Sequence, residues 1–191
     1  MLAIPFVYHR VSHHSAAVTH VTPVSVPAPA VAVVEIEGYR AWKQINDKPE
    51  YIMSKLDMLC VGPTPEQIAA EAKANPHARH YMVCYVNKIG EHAMMQEKHP
   101  HFPVGSIIVK EKLDEPSLTA HISLLTCMIK RNPGFDAAHN DWEYVVCDGG
   151  NKKLAARGKL DNCGTCHTEA KDSDFVFRGE LGQKRLASLV N

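Results

Sequence analysis

The chain has 191 residues, a length that suits one domain with a core of its own. Hydrophobic residues make up 45% and charged residues 22%, the profile of a soluble globular protein rather than a disordered or fibrous one. Lys plus Arg and Asp plus Glu both number 21, so the balance gives no reason to expect nucleic acid or an anionic membrane as partner, and no apolar run approaches the roughly 18–20 residues of a transmembrane helix.

The first 34 residues stand apart. They contain no Lys, Asp or Glu and one Arg, Arg10, and they are rich in Ala, Val, Ser, His and Pro. A secretory leader starts basic, runs apolar and ends in small residues, and this stretch has only the last two parts. It reads as a processed leader, a mis-chosen start or a flexible lead-in, with the domain proper in 35–191 and order starting near Gly38.

Beyond it, "GYRAWKQIND" has apolar and aromatic residues at helical spacing and predicts a short helix. "PTPEQIAAEAKANP" predicts a helix with Thr64 as N-cap, Pro65 as first helical residue, Gln67 closing a capping box and Pro76 stopping it. "HYMVCYVN" is a strand, "GEHAMMQEKH" a short helix, and "GSIIVKEKL" a strand entered through Gly105. "SLTAHISLLTCMIK" is a longer strand closed by the turn "RNPGFD", and "DWEYVVCD" another. "NKKLAARG" predicts a helix capped by Gly158. The fold class is α+β: an antiparallel β-sheet with flanking helices.

The chemistry concentrates in "DNCGTCHTEAKDSDFVF", residues 161–177. Cys163, Cys166 and His167 form C-x-x-C-H, the attachment signal of a c-type haem. Each thiol adds across a vinyl group to form a thioether, and the histidine is held under the iron as axial ligand. A zinc site is an alternative but needs a second ligand pair, for which His77 and His80 are the nearest candidates. A thioredoxin-like redox pair needs a βαβ unit, and a plain disulfide remains possible. The adjacent histidine favours haem. Small electron-transfer cytochromes carry this motif near the N-terminus with a Met further on. Here 24 residues follow His167 and none is Met. A C-terminal motif also occurs in the c-prime cytochromes, but those are four-helix bundles.

One family joins a C-terminal C-x-x-C-H to a β-rich body, and over residues 38–178 this sequence resembles it: cytochrome P-460 and its relatives, the c-prime-beta cytochromes. "GYRAW", "PHARHYMVCYVN", "FPVGSIIVKEKL", "MIKRNPGFDAAHNDWEYVV" and "CGTCHTEAKDSDFVF" match the family's pieces in order and spacing. The resemblance implies one covalently bound haem c, held through Cys163 and Cys166 with His167 on an otherwise five-coordinate iron. It also implies a periplasmic location, a homodimer, and electrons passed to a partner cytochrome. Two functions follow from it: oxidation of hydroxylamine (or nitric oxide), or non-enzymatic nitric oxide binding or gas sensing as in the c-prime-beta members. Plain electron transfer with a six-coordinate iron is a third.

In the hydroxylamine-oxidising members a strand lysine is bonded to the haem edge, and Lys110 falls at that place. Parity puts Ile108 and Lys110 on one strand face and Ile107, Val109 and Leu113 on the other. Lys112 is expected to face solvent. The family's distal carboxylate should fall near Thr126, on a strand with no Asp or Glu. His121 on the same stretch is expected to be a partly exposed sheet histidine. Met82, Met94, Met95 and Met128 are candidate sixth ligands or simply core, and core is the better reading. Among Cys60, Cys84, Cys127 and Cys147, zero, one or two disulfides are open.

Overall fold

A computed structural model describes residues 33–59, 61–75, 77–149 and 153–181. The strands are β1 (Lys43–Gln44), β2 (Glu50–Tyr51), β3 (Tyr81–Val86), β4 (Ile107–Leu113), β5 (Ile122–Lys130), β6 (Trp142–Asp148) and β7 (Leu154–Gly158). The α-helices are α1 (Pro65–Ala74), α2 (Glu91–Gln96) and α3 (Asp161–His167). All strand pairs are antiparallel, in the order β1-β3-β4-β5-β6-β7 with β2 also beside β3. The α+β class is therefore as expected. Among the described residues no helix is long and apolar enough to cross a membrane.

Side-chain alternation divides the core in two. Val83 and Tyr85, Val109, Leu125 and Cys127, and Val145 and Cys147 form one face, closed by Val33, Ile36 and Tyr39 from the N-terminal segment. The other face carries Cys84 and Val86, Ile108, Met128, Trp142 and Tyr144. Against it pack Met94 and Met95 of α2, Phe102, and Val176 beyond α3. Each fully buried aliphatic side chain contributes about 1.5–3 kcal/mol. Two cores on one sheet fix β3–β6 from both sides, which leaves the strand register little freedom.

Several local expectations hold. α1 begins with Pro65, and Thr64 and Gln67 make the reciprocal capping box. Pro76 lies outside the described residues. In α2, Ala93, Met94 and Met95 are buried, which fits a core role for both methionines.

Three expectations are overturned. "NKKLAARG" is not a helix: Leu154–Gly158 is strand β7, paired with β6 from Tyr144↔Gly158 to Cys147↔Leu154. Leu and Ala favour helix locally, but Arg157 is claimed by Glu143 and Glu35, and Leu154 packs on the first core. Tertiary contacts override a weak propensity. The expected helix over "GYRAWKQIND" is a single 3-10 turn, Tyr39–Ala41, entered through left-handed Gly38 (φ 69°) and followed at once by β1. The long strand starts only at Ile122.

Glu35 fastens the N-terminal segment to the β6–β7 edge. Arg157 Nη2 donates to it at 2.6 Å and Arg131 Nη2 at 3.1 Å, and both arginines also hold Glu143. The Arg157 hydrogen bond, above all, lowers the Glu35 pKa from 4.5 to about 2. A depressed carboxylate pKa stabilises the fold above the unfolded value and loses that contribution as pH falls through the folded one. Wild-type protein is therefore expected to lose stability between about pH 5 and pH 2. Glu35→Gln should flatten that acid arm and lower the neutral-pH stability modestly, by about 1 kcal/mol or less for so exposed a pair. Urea unfolding at a series of pH values checks it.

Candidate functional site

A cavity of about 610 Å³ opens between the second sheet face and the C-terminal segment. Ile108, Lys110, Thr126, Met128 and Tyr144 form its sheet wall, and Cys163, Cys166 and His167 its α3 wall. The three motif residues are thus brought together with Lys110 around one space. Cross-strand pairing sets the wall in rows: Cys84, Lys110, Thr126 and Val146 make one, and Ile108, Met128 and Tyr144 the next.

The motif itself is the helix. Positions i, i+3 and i+4 of α3 share one side, which is where Cys163, Cys166 and His167 fall. Asp161 in the first turn suits the positive end of the helix dipole. Gly164 is required by a close approach: a Cβ there would stand 2.7 Å from Cε1 and Nε2 of His139. Burial raises the pKa of both thiols, and each is raised further by a neighbour, Cys166 for Cys163 and Glu169 for Cys166. Both therefore stay in the thiol form at neutral pH.

His167 Nδ1 lies 2.7 Å from the carbonyl oxygen of Phe175. A carbonyl only accepts, so Nδ1 carries the proton and Nε2 keeps its lone pair for a metal. The rings of Tyr144 and Phe177 flank the imidazole, with centroids 5.4 and 5.1 Å away. The carbonyl is placed by two consecutive left-handed residues, Asp174 (φ 53°) and Phe175 (φ 61°). The buried Asp174 carboxylate accepts from Phe102 N at 2.7 Å and Asn140 Nδ2 at 2.5 Å, and pairs with Lys130 Nζ at 2.7 Å. Trp142 Nε1 donates to the Asp174 carbonyl at 2.7 Å. Arg178 donates to the carbonyls of Met94 and Glu97, which stitches the segment to the end of α2.

Lys112 corrects its expectation. It is only 7% exposed, on the same strand face as Lys110, and desolvation lowers its pKa. It does not line the cavity, whereas Lys110 does. His121 departs from its expectation in part: it is not a sheet residue but stands just before β5, exposed, with Nδ1 3.0 Å from Asp114 Oδ2 and away from the cavity. Thr126 lines the cavity, and the carboxylates that do so are Glu71 of α1 and Glu169 beyond α3. Ser54 Oγ donates to the Glu71 carboxylate. Neither acid was legible as a site residue, since both lie outside β5 and reach the cavity only through the fold.

Met94 and Met128 line the cavity, and Met82 and Met95 are buried. His77 lines it and His80 does not. Cys84, Cys127 and Cys147 are buried, and Cys127 and Cys147 form no disulfide. Cys60 lies outside the described residues. Among the described residues, no group of three or more His, Cys, Asp or Glu is arranged to hold a metal ion by itself.

The wall therefore fits a flat, largely apolar ring with one metal at its centre. It supplies two thiols, one imidazole whose proton is held on Nδ1, and apolar surface from Ile108, Met128, Val176 and Phe177. Tyr144 adds a buried hydroxyl with no hydrogen-bond partner among the described residues, a group that a bound molecule with polar atoms can satisfy.

A family model described as Cytochrome P460 matches residues 36–178, a span that contains every strand and α-helix among the described residues and the cavity wall given above. No curated protein matches the chain.

Proposed function

This chain belongs to the cytochrome P460 family, and we propose that it is a periplasmic mono-haem cytochrome that binds and oxidises hydroxylamine or nitric oxide and passes the electrons to a partner cytochrome. Membership makes it a c-type cytochrome and implies a haem cofactor. The observation that carries the reading is the convergence of both motif thiols, the His167 imidazole and Lys110 on one cavity. When bound, haem supplies an iron that takes a small nitrogen ligand and accepts electrons singly.

The chain's own residues have distinct tasks. Cys163 and Cys166 hold the ring by thioether bonds, and His167 holds the iron. Lys110, in the same row of the sheet wall as Cys84 and Thr126, would be the residue bonded to the ring edge and would tune it. Glu71 and Glu169 accept the protons that hydroxylamine oxidation releases, with Ser54 Oγ fixing the Glu71 carboxylate. A homodimer completes the reading.

A second reading is nitric oxide binding without turnover. It is favoured by Thr126, which stands on the cavity wall where the family resemblance asks for a carboxylate. Lys110 separates the two. Lys110→Ala is expected to keep thioether-bound haem, lose a red-shifted Soret band, and slow hydroxylamine oxidation at least about tenfold, while nitric oxide binding survives. Peptide mass spectrometry of the wild type is the direct check. An unmodified Lys110 peptide in fully haem-loaded protein overturns the oxidase reading and leaves the binding one.

A further inference from the structure

The loop between β5 and β6 touches both ends of the hydrogen bond that orients His167. Its shape is fixed internally: Asp141 Oδ1 accepts from Gly134 N at 3.0 Å and Asp136 N at 2.9 Å, and Asp141 N donates to Asp136 O at 2.7 Å. That geometry presents the Asp136 carboxylate to His139, whose Nδ1 lies 2.8 Å from Oδ2. The carboxylate holds the imidazole in one orientation and one tautomer.

The imidazole is wedged. On one side it meets Gly164 of α3 so closely that no Cβ fits. On the other it makes an edge contact with the Phe175 ring, centroids 6.0 Å apart at 81°. Gly164 belongs to the helix that carries His167, and Phe175 supplies the carbonyl that receives His167 Nδ1. The next residue of the loop, Asn140, donates to Asp174, beside Phe175. One loop thus sets the spacing between the donor helix and the acceptor carbonyl.

We propose that Asp136 and His139 are positioning residues for the proximal imidazole: the pair holds α3 and Phe175 at the separation that the His167–Phe175 hydrogen bond requires. The inference rests on the haem reading above. A shorter or stronger bond to Nδ1 gives the imidazole more anionic character, which favours the ferric state, so loosening the wedge raises the reduction potential.

The test uses the haem-loaded protein. His139→Ala and Asp136→Leu are expected to change the ferric-to-ferrous ratio at a fixed potential by roughly tenfold, about 59 mV for one electron. The iron–histidine stretching band of the reduced protein should fall in frequency with them. His139→Gln, which can still donate to Asp136, should recover part of the shift. Gly164→Ala, which presses on the wedge from the other side, should move the same band. Variants that melt earlier but keep the wild-type potential and band would show mere packing and overturn the proposal. Should the aliphatic variants fail to fold, His139→Gln and Asp136→Asn are read on the same two signals, and no movement in either is equally fatal. A wild type without covalent haem defeats the haem reading instead. The ¹⁵N shifts of His167 then report the bond directly, and identical shifts in wild type and His139→Gln overturn the positioning role.

Discussion

Replacing both motif cysteines, Cys163→Ala with Cys166→Ala, is expected to abolish thioether-bound haem: denatured protein separated on a gel should show no haem stain, against full staining of the wild type, unless Lys110 alone retains the ring. The two thiols stand three positions apart on α3, both on the cavity wall, and under the haem reading each makes one thioether. Burial holds both in the protonated form, so neither is poised to act as a free thiolate. Single variants keep one bond and retain stain at reduced yield. His167 remains in the double variant, so haem added to the native protein still binds, but it is extracted by acid and solvent. Lys110, also on the cavity wall, is the further covalent anchor that the haem reading supplies. If stain persists in the double variant and vanishes on adding Lys110→Ala, the lysine bond is established, and stain kept by Lys110→Ala alone establishes the thioethers. Stain that persists in the triple variant sinks the attachment chemistry altogether.

Much of this site was legible in the sequence because its chemistry is local. C-x-x-C-H is compact, and helical geometry alone puts its three side chains on one side. Strand parity placed Lys110 on the face opposite Val109, and the structure keeps that division. The same parity puts Lys112 on the face of Lys110, and it is buried there rather than turned to solvent. What was not legible is long-range. Glu111 sits at 0% exposure on the apolar face of β4, where alternation asks for a hydrophobic residue. It is tolerated because Tyr39 Oη donates to it at 2.5 Å and Arg40 Nε at 2.7 Å, from more than 70 positions away. β7 was missed for a similar reason. Leu154, Ala155 and Ala156 are neutral or helical by propensity, and only the β6 edge and the Glu143–Arg157 contact make them a strand.

The second core also explains why the functional stretch lies where it does. α3 and the residues after it are not an appendage: Val176 and Leu181 are buried among Met94, Phe102 and Trp142. The cavity is roofed only when that segment is fastened down, so the stability of the C-terminal segment and the geometry of His167 are one problem.

Asp174→Ala therefore has the largest expected effect of any substitution outside the motif. The Lys130 side chain is 6% exposed and its Asp174 partner 2%, with Nζ to Oδ1 at 2.7 Å. Lys130 Nζ also stands 4.9 Å from the centroid of the Trp142 ring, a contact too weak to neutralise an ammonium by itself. Removing the carboxylate strands a buried cation, which costs about 3–5 kcal/mol. Phe102 N and Asn140 Nδ2 lose their acceptor as well. In addition, Ala tolerates the left-handed backbone at φ 53° less readily than Asp does. For a domain of this size the melting temperature should drop by about 10 °C or more. Asp174→Asn keeps an acceptor oxygen and the left-handed backbone but not the charge, and should fall between the two. The pair Lys130→Met with Asp174→Asn removes the stranded cation and should recover much of the loss, since replacing both partners of a buried ion pair is often close to neutral. Calorimetry on the four proteins decides it. A loss under about 1 kcal/mol in Asp174→Ala would mean that Arg178 and the apolar contacts of Val176 hold the segment, and that the carboxylate does not fix Phe175 beneath His167.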